Sequence, residues 1–101
     1  MPTHEELPRF LRQFKKLPPA VREAFKAVVL ALVADLGEDG FDPTRARPSL
    51  RLHKLTDREV WSVSFADQYR AGFRLGTQQR PGHAHIVWEF IGTHTEYDRE
   101  Y

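Results

Sequence analysis

The sequence predicts an α+β fold: two N-terminal antiparallel helices packed on one face of a four-stranded antiparallel sheet. Two observations predict it. Apolar residues recur at helical spacing as far as Leu36, and at strand spacing from Leu50 onward. The gaps between the later segments are too short for parallel crossovers, so neighbouring strands should run antiparallel.

The first helix rests on Leu7, Phe10, Leu11, Phe14 and Leu17, and should end near Leu17. Its start has two candidates. Thr3 and Glu6 stand at capping-box spacing, and Pro8 suits the first helical position. Pro18-Pro19 stops this helix and opens the next. The second helix buries Val21, Phe25, Val28, Leu32, Val33 and Leu36, and Gly37 is its natural stop. A connection this tight makes the pair an antiparallel hairpin.

Residues 37–49, rich in Gly, Asp, Pro and Arg, read as a loop. Four strand candidates follow, at 50–55, 60–65, 69–75 and 84–91, with a turn at 77–82. Trp61, Val63 and Phe65 share a face with Ala71, Phe73 and Leu75, and that face should pack on the helices. The opposite face then carries Arg51, His53, Ser62, Ser64, Arg70 and Arg74. Cations and hydroxyls in such number suit an open surface for an anionic ligand.

The 101 residues fit one domain, 1–101, and 41% are hydrophobic, which favours a packed core over disorder. No apolar run approaches the ~20 residues of a membrane span. The polar start, with Glu5 and Glu6, does not read as a signal peptide. No membrane partner is expected, and a cytoplasmic location is the default. The absence of cysteine excludes disulfides and thiolate metal sites. Net charge is +1, yet residues 45–80 hold eight Lys and Arg against three Asp and Glu. That excess suits a phosphate-bearing partner or an acidic protein, with a plain solvated surface as the alternative. His83 and His85 would face one way on a strand, but no third and fourth metal ligands stand near them in sequence. No cofactor is expected.

Several short strings occur in a characteristic order: Pro48-Ser-Leu-Arg-Leu-His-Lys-Leu55, Val60-Trp-Ser-Val-Ser64, Tyr69-Arg70 and Ile91-Gly-Thr-His-Thr-Glu-Tyr97. In order and spacing they resemble the RelE/ParE superfamily of bacterial toxins, over roughly residues 8–98. Most members begin with a strand. Here only about six residues precede helical sequence, a departure from that pattern. The resemblance implies the toxin of a type II toxin–antitoxin system, with a cognate antitoxin as partner. The RelE-like branch cleaves mRNA on the ribosome. The alternatives are a ParE-like toxin that inhibits DNA gyrase, and a non-catalytic member that only binds its antitoxin.

Metal-independent RNA cleavage needs a base for the ribose 2′-hydroxyl, an acid for the departing 5′-oxygen, and cations for the phosphoryl charge. The resemblance makes His94 the candidate acid, Arg70 the phosphate clamp and His53 the base, with Glu59 a weaker rival base. Arg51, Lys54 and Arg74 are candidate RNA-backbone contacts, and Tyr97 could stack on a base. The rival readings are an ion pair for Arg70, solvation for the other cations, and packing on the sheet for Tyr97.

Overall fold

Two of the chain's prolines each begin a helix. In the computed structural model, which describes residues 2–38, 40–55 and 57–101, α1 spans Pro8–Lys15 and α2 spans Pro19–Leu36. Residue 39 of the expected loop lies outside that description. Pro8 and Pro19 lack the N–H that a first helical turn leaves unpaired, so each fits at the helix start. Gly37 ends α2 at φ 68°, a left-handed conformation that glycine adopts without strain, and its N–H donates to the Val33 carbonyl.

The expected capping box at Thr3 and Glu6 does not form. Thr3–Glu6 is instead a strand, β1, and Leu7 precedes α1 with no side-chain cap. The other strands are β2 (His53–Lys54), β3 (Trp61–Phe65), β4 (Tyr69–Leu75) and β5 (His85–Thr93). Their order is β1-β5-β4-β3-β2. The meander from β2 to β5 is antiparallel as expected. The fifth strand, β1, runs parallel to β5 at the edge of the sheet, and corrects the four-stranded expectation. The expected strand at 50–55 shrinks to two residues. Pro48–Leu50 forms a 3-10 turn, and Arg51 follows it in a left-handed conformation, φ 49°.

Helices α1 and α2 cover one face. Phe25 centres the core, with its ring 5.0 Å from Trp88, 5.5 Å from Phe10 and 5.6 Å from Phe65. Val63, Ala71 and Phe73 lie in the same core, as their alternation predicts. Leu75 departs from that expectation: it is 43% exposed, at the end of β4 outside the core cluster. Asp35 in the last turn of α2 grips Arg47 through the backbone N–H, Nε and Nη2, at 2.8–2.9 Å, and so ties the 43–50 segment to the helix.

The other face is open in part only: Arg51, His53 and Arg74 are exposed, whereas a third helix, α3 (His94–Glu100), covers much of the rest. A β-bulge moves the β5 partner from Phe90 opposite Gly72 to Trp88 opposite Phe73, leaving Glu89 as the extra residue. Trp88 therefore enters the helix-side core, while Phe90 packs against α3. The Tyr97 and Tyr101 rings lie 5.8 and 6.0 Å from Phe90. Ser62, expected on an open surface, is fully buried on β3.

Candidate functional site

The site is built where β5 turns into α3. The Thr93 hydroxyl accepts the Glu96 N–H at 3.2 Å, and the Glu96 carboxylate accepts the Thr93 N–H at 2.9 Å, forming a reciprocal cap. The Thr93 backbone N–H foremost, and then the Thr93 hydroxyl, favour the carboxylate and lower the Glu96 pKa. The His94 N–H donates to the Gln68 carbonyl, fixing the helix start against the β3–β4 turn. That turn runs through Ala66 at φ 45° and Asp67 at φ 61°.

Arg70 projects from β4 beneath α3. Its guanidinium stands 5.6 Å from the centre of the Tyr97 ring, and its side chain is 24% exposed. Arg70 Nη1 lies 3.8 Å from Asp98 Oδ1, and His94 Nε2 lies 3.1 Å from Asp98 Oδ2. One carboxylate therefore stands between the guanidinium and the imidazole. On the Arg70 side is a cleft of about 380 Å³ with Leu55, Asp57, Arg58 and Tyr101 in its walls. On the His94 side is a cleft of about 350 Å³ with Asp67, Gln68, Thr93 and Thr95. Asp98 borders both. The Arg58 guanidinium lies 5.9 Å from the Tyr101 ring centre.

The remaining candidates are dispersed. His53 is exposed on β2, with Nδ1 3.2 Å from both the Ser62 hydroxyl and the Arg51 carbonyl, and it lines neither cleft. Arg51 borders a separate cleft of about 260 Å³ with Ser49, Ser64 and Asp67. Lys54 pairs with Glu59 at 3.2 Å on the surface, which engages the rival base as well. Arg74 is exposed but paired within the chain: its Nε hydrogen-bonds at 3.1 Å to the buried Glu89. Tyr97 is corrected. It is 1% exposed, and with α3 docked neither face of its ring is open to a base. Burial raises the pKa of both Tyr97 and Tyr101, and more strongly for Tyr101.

His85 has a structural task. It is buried, with Nδ1 2.7 Å from the Thr3 hydroxyl and Nε2 2.9 Å from a Glu5 carboxylate oxygen, so both ring nitrogens hold β1. Among the described residues, no group of three or more His, Asp and Glu is placed to bind a metal ion. The sequence reading also missed a groove of about 490 Å³ bordered by Phe10, Leu11, Phe14, Phe25, Val29 and Leu30. Leu30 is 71% exposed there, which is costly for an apolar side chain in water.

No protein-family model matches the chain, and no curated protein does. Among solved structures, the chain is similar to one in the crystal structure of the toxin-antitoxin complex RelBE2 from Mycobacterium tuberculosis. The TM-score is 0.52 at 22% identity, over 92% of this chain and 99% of that one. The likeness shows the fold, an α+β domain of the same arrangement as that chain.

Proposed function

We propose that this chain is the toxin of a type II toxin–antitoxin pair, and that it cleaves mRNA on the ribosome without a metal. The observation that carries the reading is the approach of Arg70 and His94 to a single carboxylate, the arrangement a phosphodiester would require. The likeness in fold to a chain of a toxin-antitoxin complex supports the biological setting.

In the reaction, the ribose 2′-oxygen attacks the adjacent phosphorus and the bond to the 5′-oxygen breaks. Products are a 2′,3′-cyclic phosphate and a free 5′-hydroxyl. Arg70 grips the phosphoryl oxygens as negative charge builds on them, and two N–H donors on one planar group suit that task. His94 gives its proton to the departing oxygen. His53 takes the 2′-hydroxyl proton only where the scissile linkage itself lies between β2 and Arg70, because the base must reach the hydroxyl next to the gripped phosphate. The antitoxin covers the basic surface and competes with RNA.

A second reading is a partner-binding member without catalysis. The burial of Arg70 against Tyr97 favours it, because that contact gives Arg70 a structural reason to be present. One experiment separates the readings. Expression is induced from a tight promoter, mRNA 5′ ends are mapped, and DNA supercoiling is measured in parallel. New 5′ ends that vanish in His94→Ala support the nuclease. Altered supercoiling without new ends points to gyrase. Neither change, with an antitoxin complex still formed, leaves the partner-binding reading.

A further inference from the structure

Asp98 touches both residues on which the proposed chemistry rests, and it borders both clefts. A carboxylate presents two oxygens and a negative charge, as a phosphodiester does. We infer that the Asp98 carboxylate is the resting occupant of an anion site made by Arg70 and His94, and that the backbone of single-stranded RNA displaces it. The inference deepens the proposed function and rests on its assignment of Arg70 and His94 to RNA, but not on cleavage.

Exposure separates the fixed part of this site from the movable part. Arg70 is 24% exposed and held against Tyr97, whereas the Asp98 side chain is 61% exposed. Pairs between exposed charges hold each other weakly in water. Asp98 can therefore turn into solvent while α3 and Arg70 stay in place. An acid that stayed would repel the phosphate across a few ångströms, well inside the ~8 Å screening length at physiological salt. With Asp98 in place, its carboxylate offsets part of the charge of Arg70, and the site attracts small anions less strongly. An RNA strand already held by other cations, such as Arg58 on the same cleft or Arg51 nearby, brings its phosphate at high local concentration. The carboxylate thus discriminates a polyanion from free phosphate.

The test titrates a fluorescently labelled single-stranded RNA oligonucleotide with the whole protein at about 0.1 M salt, where screening is only partial. Asp98→Asn keeps the size of the side chain and removes its charge. It should bind RNA about two- to fivefold more tightly than the parent chain, the scale of an exposed ion pair. Inorganic phosphate should displace the RNA from Asp98→Asn at lower concentration than from the parent. Asp98→Ser, checked for fold by circular dichroism, should behave alike, and adding Arg70→Gln should abolish the gain. Unchanged or weaker binding in both Asp98 variants overturns the inference, as does absence of binding in every form. RNA cleavage is scored in parallel. Tighter binding without cleavage upholds the gate and removes the nuclease reading. Cleavage with unaltered binding in Asp98→Asn does the reverse.

Discussion

Tyr97 lies directly on Gly72. A Cβ added to Gly72 would stand 3.4 Å from Tyr97 Cε2, 3.4 Å from the Tyr101 hydroxyl and 3.3 Å from Val60 Cγ1. The absence of a side chain at this point of β4 lets α3 settle on the sheet. Gly72→Ala should be tolerated with shifts of a few tenths of an ångström. Gly72→Val should destabilise the fold by about 1–3 kcal/mol through overpacking. Urea denaturation measures the difference, and equal midpoints for the two variants would show that α3 is not seated by this contact.

His85 holds β1 through both ring nitrogens. His85→Ala removes two hydrogen bonds from a strand of four residues at the sheet edge. Stability should fall by about 1–3 kcal/mol. Amide exchange at residues 3–6 should accelerate far more than exchange in β3 and β4. Uniform acceleration across the sheet would mean that His85 supports the core rather than the edge.

The Asp35 carboxyl is held well below the usual range, at about 2 against an ordinary 3.8, chiefly by hydrogen bonds from the Arg47 side chain and backbone N–H. A depressed folded-state pKa adds stability above the unfolded value, and the gain is lost as pH falls through the folded value. The loss should therefore fall between about pH 4 and pH 2. Carbon-detected titration of Asp35 should give a midpoint near 2 in the parent chain and a clearly higher one in Arg47→Ala, short of the ordinary value because the backbone N–H at 47 still donates. The urea midpoint of Arg47→Ala should then depend less on pH across that window. A midpoint for Asp35 that ignores Arg47 would remove the pairing as its cause.

His94→Ala should lose growth inhibition with the fold intact, because the side chain is exposed and its backbone N–H still reaches Gln68. Loss of a general acid typically slows the step about 10²–10⁴-fold. Arg70→Ala should slow it comparably and also loosen Tyr97, whereas Arg70→Lys keeps the charge without the two-pronged grip. Thermal melts report the structural part of each change, and cleavage assays report the rest. A folded double variant that retained full toxicity would end the nuclease reading.

The legible parts of the fold are those with an apolar period. Phe25, Val28, Leu32 and Leu36 mark α2, and the alternation of Val63, Phe65, Ala71 and Phe73 marks the sheet. β1 was illegible because Thr3–Glu6 is a short polar edge whose partner lies at the other end of the chain. α3 was missed for a different reason. Its apolar contribution is confined to Tyr97 and Tyr101, and the signal that would have found it is the capping spacing of Thr93 and Glu96 ahead of them. Arg70 and His94 were named from motif order. Asp98 was not, because only the helical turn brings it back to His94 at i+4. The open-face expectation for Ser62 failed because alternation assigns a side to a residue and says nothing about what later covers that side.

The parallel pairing of β1 with β5 sets an order of assembly. Thr3 and His85 stand 82 positions apart, so β1 has no strand partner until residues 85–88 have been synthesised. A nascent chain can close the α1–α2 hairpin and the β3–β4 hairpin early, since both are local. Strand β1 is among the last elements to be fastened, because its pairing with β5 closes a long loop. During that interval Phe10 and Phe25 lack Trp88, the ring on which both rest in the finished protein. A ribosome that stalls before residue 85 thus holds a chain whose helices can meet the β3–β4 hairpin through Phe25 and Phe65, but lack the strand that carries Trp88.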